Sequence, residues 1–300
     1  MTLAAAMLLD ALLGEPKWLW DRAPHPAVLI GRLIAWLEVR MNTGARRAMG
    51  AVMVAALVLG AWLIGAVIAA LPFGWLWSLF LTAILLAQRS LADHVRDVGN
   101  ALRLSLGDGR AAVAKIVGRD TRGMDGSAVA RSAIESGAEN LSDGVIAPAF
   151  WFLVAGLPGI FIYKAINTAD SMVGYRNHRY EEFGWASAKL DDAVNWIPAR
   201  LTAALIVAAH MRWDVWAVVR RDAGLHRSPN AGWPEAAMAG VLGTALSGPR
   251  SYDGEMRDFP FVYPEGRHQV TANDIDACVS VLWRAWALCL GLVVVAAVLF

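Results

Sequence analysis

Cysteine is nearly absent: the chain has two, Cys278 and Cys289, both near or inside its last apolar segment. Two thiols so placed make neither a disulfide framework nor a metal-binding spacing, and they leave the redox compartment open. Charge is scarce as well, at 18% of residues with a net charge of +1. Such a balance offers no concentrated basic face to a phosphate backbone, so no nucleic-acid partner is expected. The common catalytic cradles are missing too. There is no G-x-x-x-x-G-K-[ST] loop, no H-E-x-x-H and no G-x-S-x-G, and the six histidines form no metal-ligand pair. Gly107-x-Gly109-x-x-Ala112 has no strand before it and carries no dinucleotide reading. A nucleotide, if used, must be held in some other way.

What is present is apolar. With 57% hydrophobic residues and a mean hydropathy of +0.44, the chain is too greasy for an ordinary soluble domain, and the bilayer is its expected solvent. The fold class is all-α: a polytopic integral membrane helical bundle with amphipathic helices and loops on the cytoplasmic side. Without an internal repeat or a low-complexity linker, residues 1–300 read as a single membrane domain. Residues 1–13 lack a basic start and carry Asp10, which suits a short membrane-inserted helix better than a cleaved signal peptide. Spans are expected over 48–71, 75–91 and 279–300, the first two joined by a tight Pro72-Phe73-Gly74 turn. Segments 145–163 and 197–211 are weaker, the first interrupted by Pro148 and Gly156-Leu157-Pro158-Gly159, the second short and holding Arg200 and His210.

The 48–91 hairpin returns the chain to its starting side, and the Arg-rich stretches flanking it place that side in the cytoplasm. If 145–163 crossed fully, the polar groups on either side of it would lie in different compartments. A broken or re-entrant helix turning near Gly156 to Gly159 keeps them together, since irregular backbone at membrane depth is tolerated where it lines a protein cavity. Residues 92–118 read as amphipathic helices broken at Gly107-Asp108-Gly109, and 248–273 as a loop.

Four polar stretches could carry chemistry. In ARSAIESGAENLSDG, Arg131, Glu135, Glu139 and Asp143 recur every four residues. A helix would line these acids along one face, where they repel unless a cation joins them. Mg²⁺ or a substrate ammonium would serve; a surface helix with an Arg–Glu pair is the plainer alternative. In YKAINTADSMVGYRNHRYEEFG, Lys164, Asn167 or Thr168, and Ser171 can share a helical face beside Asp170, with Arg176 and Arg179 in the loop that follows. Lysine and arginine suit capture of phosphate or carboxylate, although positive-inside flanking accounts for the arginines alone. KLDDAVNWIPARL places Asp191 and Asp192 four and three residues before Asn195, a pattern suited to magnesium and phosphate or to a plain helix end. HRSPNAGWPEAAMAG sets His226, Arg227, Ser228 and Asn230 on a turn before Pro234-Glu235 opens an Ala-rich helix.

Taken together, these stretches resemble the CobD/CbiB family of cobalamin biosynthesis, the adenosylcobinamide-phosphate synthases. The resemblance runs through LLDALLGEPKWLW and PHPAVLIGRLI in residues 8–34, VGRDT at 117–121, ARSAIESGAENLSDGVIAPAFW at 130–151, the long stretch 156–203 and HRSPNAGWPEAAMAGVLG at 226–243. It implies an ATP-dependent amide ligase of the cell membrane, its active site facing the cytoplasm. Such an enzyme would join a corrinoid, adenosylcobyric acid, to (R)-1-aminopropan-2-ol or its O-phosphate, with ATP and Mg²⁺ as cofactors. The bilayer and other enzymes of the pathway would be its partners. On that reading Glu135, Glu139, Asp143, Asp191 and Asp192 handle Mg²⁺ and the amine. Lys164, Arg119, Arg176, Arg179 and Arg227 hold phosphate and carboxylate groups, and Asn140, Asn167, Asn195 and Asn230 orient them. The base for the amine is Asp170, Glu235 or His226, with no ranking among the three. Tyr252, Phe259, Phe261 and Tyr263 could line a mouth wide enough for a corrinoid, or could equally be core. A Mg²⁺-dependent membrane prenyl or phosphoalcohol transferase would require a second aspartate-rich motif, which is missing. A non-catalytic sensor of the related AmpE-like branch leaves the Lys, Asn and Asp near the apolar segments without a purpose.

Overall fold

The computed structural model describes residues 1–252 and 254–299, apart from the side chains of Lys17 and Tyr252; the expected place of Tyr252 in a mouth therefore lies outside the described residues. The chain begins with α1 (Thr2–Leu13), a single turn α2 (Lys17–Trp20) and α3 (Pro26–Met41). His25 caps α3, its Nδ1 accepting from the Ala27 N–H, with Pro26 at the first helical position. Then come α4 (Arg46–Ala70) and α5 (Gly74–Leu85), joined by the expected tight turn. Phe73 there is left-handed at φ 59°, and a Cβ on Gly74 would lie 2.0 Å from the Ala69 carbonyl, so only glycine fits.

Here the sequence reading needs correction. The span expected over 75–91 is interrupted: α5 stops at Leu85, Leu86 is extended, and α6 (Gln88–Leu104) starts afresh. The helix resumes within two residues, so Gly74–Leu104 taken together is still long and apolar enough to cross a bilayer, as expected, with a break inside it. The amphipathic stretch breaks at Ser105 and not at Gly107 to Gly109, which lie inside α7 (Leu106–Val113). Ser105 accepts from the Asp108 N–H, and this cap outweighs the low helix propensity of the two glycines.

After α8 (Gly126–Leu141) a π-helical turn, Ser142–Ile146, leads into α9 (Ala147–Val173). α9 is broken at Ala155 and at Gly156, whose φ is +62°, so the interruption expected near Gly156 to Gly159 is present. A Cβ on Gly159 would lie 2.2 Å from the Trp151 carbonyl. In a straight helix residues eight apart are separated by about 12 Å. The chain therefore bends sharply at the break. The remaining elements are α10 (Trp185–Val194), α11 (Trp196–Ala209), α12 (Val215–Asp222), a 3₁₀ turn (Ala223–Leu225), α13 (Gly232–Leu242), four short strands and α14 (Ala272–Leu299). The region read as a plain loop holds most of that strand structure. β1 (Leu246–Ser247) pairs antiparallel with β4 (Phe261–Val262), and β2 (Arg250–Tyr252) with β3 (Glu255–Arg257).

Among the described residues four helical stretches are long and apolar enough to cross a membrane: Arg46–Ala70, Gly74–Leu104, Gly126–Val173 and Ala272–Leu299. Exposed Val52, Leu59, Leu63 and Val67 on α4 fit lipid contact. The chain divides into two compact units. One comprises residues 1–87, 147–196 and 293–300, the other residues 88–146 and 197–292. In the first, Ile34, Met53, Val54, Leu57, Ala165, Ala169, Val173 and Phe183 form a core shared by α3, α4 and α9. Gly65 lets α4 approach α9 closely, since a Cβ there would lie 2.7 Å from Pro158 Cα. In the second, Gly137 on α8 packs against Val95 of α6 and against Cys278 and Leu282 of α14.

Candidate active site

In the second unit, Asp125 caps α8 by accepting from the Ala128 N–H, and Val129, Ala133, Ile134 and Leu141 bury the helix. That burial carries Glu135 inside with 7% of its side chain exposed, and a buried carboxylate needs compensating partners. It has three. Arg119 Nη2 donates to Oε2 at 2.7 Å, Arg250 Nη1 to the same oxygen at 3.4 Å, and the Ser247 N–H to Oε1 at 2.9 Å. The cation that the spacing of Glu135, Glu139 and Asp143 called for is thus guanidinium at Glu135. Glu139 is exposed and Asp143 half-buried in the π turn, so the three acids are not equivalent along one face. Asn140 donates to the Ser136 carbonyl at 2.9 Å and to its hydroxyl at 3.2 Å, within its own helix.

Arg250 was not singled out from the sequence. Its side chain is only 10% exposed, and Nη2 donates to Ser247 Oγ. The guanidinium lies 4.8 Å from the Phe259 ring centre, with Arg227 at 5.2 Å from the same ring. Its Nε is buried and makes no hydrogen bond among the described residues. A single arginine in a strand of three residues has no period to betray it. The one available signal was the adjacent Gly-Pro turn, where Ser247 and Gly248 adopt φ of 60° and 83°.

Glu235 sits in the first turn of α13, buried, with Oε1 making no hydrogen bond among the described residues and Oε2 3.9 Å from His226 Nε2. Burial pushes its carboxyl well above the usual range, and the charge of Glu135 adds to the effect while Arg250 opposes it. Burial pushes His226 the other way, down to about 4, with Arg250 reinforcing. His226 Nδ1 accepts from the Ser228 N–H at 3.0 Å, so the neutral ring carries its proton on Nε2. Ser228 Oγ in turn accepts from the Asn230 and Ala231 N–H groups. Asn230 Oδ1 accepts from Arg200 Nη1 at 3.3 Å, and Arg200 stacks 4.4 Å from the Trp233 ring centre.

The first unit holds a separate network. Asn167 Nδ2 donates to Asp191 Oδ1 at 3.3 Å, Asn195 Nδ2 to Asp191 Oδ2 at 3.0 Å, and the Tyr163 hydroxyl to Asn195 Oδ1 at 3.0 Å. Burial pushes the Asp191 carboxyl up to about 6; the two asparagines pull it down and Asp192 raises it. Asp192 is 3.7 Å from Lys189 Nζ. Lys164 is half-buried on the same stretch of α9 as Asn167, and its carbonyl accepts from the Thr168 hydroxyl. Asp170 packs against Gly174, where a Cβ would fall 1.9 Å from Oδ1. Arg179, expected to grip an anion, has its fork on Glu38, with Nε to Oε1 at 3.0 Å and Nη2 to Oε2 at 2.9 Å; Arg176 is exposed in the same loop. Among the described residues no three His, Cys, Asp or Glu side chains form a group that could hold a metal ion. The five carboxylates named above therefore make no protein-only cage.

These features define a polytopic α-helical membrane protein with buried ionic clusters built from its polar segments. More particularly, the chain belongs to the CobD/CbiB protein family, which it matches over residues 3–282. A relative from Brucella anthropi named cobalamin biosynthesis protein CobD is 47% identical over 99% of this chain and 96% of its own length. Proteins of the same name from Rhizobium meliloti and Rhodobacter capsulatus are 48% and 50% identical, covering 95% and 87% of this chain and 93% and 87% of their own. No solved structure matches.

Proposed function

We propose that this protein acts in cobalamin biosynthesis as an ATP-dependent amide ligase of the membrane, joining adenosylcobyric acid to (R)-1-aminopropan-2-ol or its O-phosphate. Family membership supports the pathway, and the buried Arg119–Glu135–Arg250 cluster beside Glu235 supports the chemistry. A carboxylate resists attack by an amine until one of its oxygens becomes a leaving group. ATP supplies the phosphoryl group that activates it, and Mg²⁺ offsets the phosphate charge.

The residues present fit that task. Two guanidinium groups meet on one buried carboxylate, and the Arg250 Nε makes no hydrogen bond among the described residues. Such a group suits the oxygens of an activated carboxyl or of departing phosphate. Mg²⁺ is commonly held by one or two carboxylates together with substrate phosphates, so a three-acid cage, which the described residues lack, is not required. Asp191 and Asp192, or Glu139 and Asp143, would supply such ligands. Lys164, Arg176 and Arg227 remain candidates for phosphate and carboxylate contact, and Asn167 and Asn195 orient Asp191. Arg179, held by Glu38, acts as a positioning residue.

Amide formation releases a proton from the attacking amine. Glu235 suits its capture, because a carboxylate with a raised pKa is a stronger base than a surface acid. His226 suits it less: its lone pair on Nδ1 is taken by the Ser228 N–H, and its other nitrogen carries the proton. The reading is tested by converting cobyric acid and aminopropanol to product in membranes containing the full chain. Arg250→Gln and Glu235→Gln are each expected to lower turnover by about a hundredfold or more, and Lys164→Ala and Asp192→Ala to impair it. Full conversion by Arg250→Gln would overturn the role given to the cluster.

A further inference from the structure

Of the four spanning stretches α4 is the most apolar and the least buried. Its beginning therefore marks a membrane boundary, and cations gather there. Arg46 and Arg47 occupy its first turn, and Arg40 closes α3 just before it. None of the three hangs loose. Arg46 Nη1 donates to the His178 carbonyl at 3.3 Å, Arg47 lies 4.0 Å from the Trp185 ring centre, and Arg40 lies 4.0 Å from that of Trp36.

The loop from Gly174 to Gly184 is fixed against this end of α4. A Cβ on Gly50 would meet the Phe183 carbonyl at 1.9 Å, Asn42 Nδ2 donates to the Arg179 carbonyl at 3.1 Å, and Arg179 is forked onto Glu38. Two hollows result, with Arg46 lining both. One, of about 340 Å³, is bounded also by Asn42, His178 and the Glu38–Arg179 pair. The other, of about 680 Å³, is bounded by Arg47, Ala51, Trp185 and the acidic Glu182. Asn42 Oδ1 is buried at the first hollow and accepts no hydrogen bond among the described residues.

We propose that this rim binds an anionic phospholipid, its phosphate between Arg46 and Arg47, a headgroup hydroxyl on Asn42, and its acyl chains along the exposed apolar face of α4. The charge of Glu38 is already spent on Arg179, so the arginines at the hollows outweigh the single acid Glu182. Pinned guanidinium groups lose little further freedom on binding. Two features favour a lipid over a free phosphate. The hollows open at the head of a helix whose exposed side suits acyl chains, and Trp36 and Trp185, 51% and 41% exposed, are of the type that settles at headgroup level. The site is independent of the ligase reading.

The test uses the purified full chain in detergent, titrated with phosphatidylglycerol and followed by native mass spectrometry, with phosphatidylcholine and inorganic phosphate in parallel. Phosphatidylglycerol is expected to bind in preference to phosphatidylcholine and to resist displacement by equimolar phosphate. Arg47→Gln is expected to weaken it about fivefold, and Arg46→Gln with Arg47→Gln to abolish the preference. Arg47 is exposed, so its single variant gives a result even if the double variant fails to fold. Equal retention of the two lipids, unchanged binding by Arg47→Gln, or displacement by inorganic phosphate would each overturn the proposal.

Discussion

His226 Nε2 stands 3.9 Å from Glu235 Oε2, and the burial that the two side chains share pushes them in opposite directions, the imidazole down to about 4 and the carboxyl well above its ordinary range. At neutral pH the imidazole is therefore uncharged, and the same burial makes the ionised carboxylate a stronger base than a surface acid. The stability contributed by neutral His226 is complete above its ordinary value of 6.5 and is lost as pH falls through about 4. The full loss is on the order of 3 kcal/mol. The contribution of protonated Glu235 is complete below 4.5 and is lost as pH rises through its raised pKa. Melting of the detergent-solubilised protein across pH should show both limbs. Glu235→Gln should flatten the alkaline limb and His226→Gln the acid one. A Glu235→Gln curve parallel to that of the parent at every pH would contradict the assignment.

Glu135 holds two guanidinium groups that would otherwise face each other inside the protein. Glu135→Ala should consequently cost about 3–5 kcal/mol, the usual penalty for stranding a buried charge. Replacing Arg119, Glu135 and Arg250 together by methionine should cost much less in stability while abolishing corrinoid conversion. Thermal melting and an activity assay on the same preparations separate the two roles. If the triple variant is the least stable, the cluster is structural cement and its assignment to anion binding fails.

The apolar runs were legible because length and composition alone decide them, and α4, α14 and the turn at Phe73 fall where expected. Glu135, Glu235 and Asp191 stood out by spacing or by position beside a proline or an asparagine. Their partners did not. Arg250 lies 115 residues from Glu135 and Glu38 lies 141 from Arg179, and no local period records such pairings. The break after Leu85 escaped notice for a different reason. Hydropathy averages over a window, whereas the interruption depends on the backbone of Leu86.

The pair of Glu38 and Arg179 yields a prediction about mobility. Glu38 is 7% exposed and Arg179 62%, so the bridge is solvated at one end. Glu38→Gln should lower global stability by no more than about 1 kcal/mol. Locally the effect should be larger, because the same carboxylate also accepts from Asn42, which in turn holds the Arg179 carbonyl. Amide exchange at Tyr180 and Glu181 should accelerate while the core of α4 stays protected. Unchanged exchange there would mean that Gly50 and Phe183 alone secure the loop.

The turn inside α9 allows a decision between a crossing and a return. Gly159→Ala would drive a methyl into the Trp151 carbonyl, at a cost of about 1–3 kcal/mol. Gly156→Ala would add strain of about 1 kcal/mol at a left-handed position. Both losses follow whether or not the segment crosses, so topology needs its own measurement. Tyr175, 58% exposed in the following loop, is a suitable reporter. If the chain returns to the side it entered, Tyr175→Cys in intact cells should resist an impermeant maleimide and react after permeabilisation. Rapid labelling from outside would overturn the return and place the loop after α9 on the far side of the membrane.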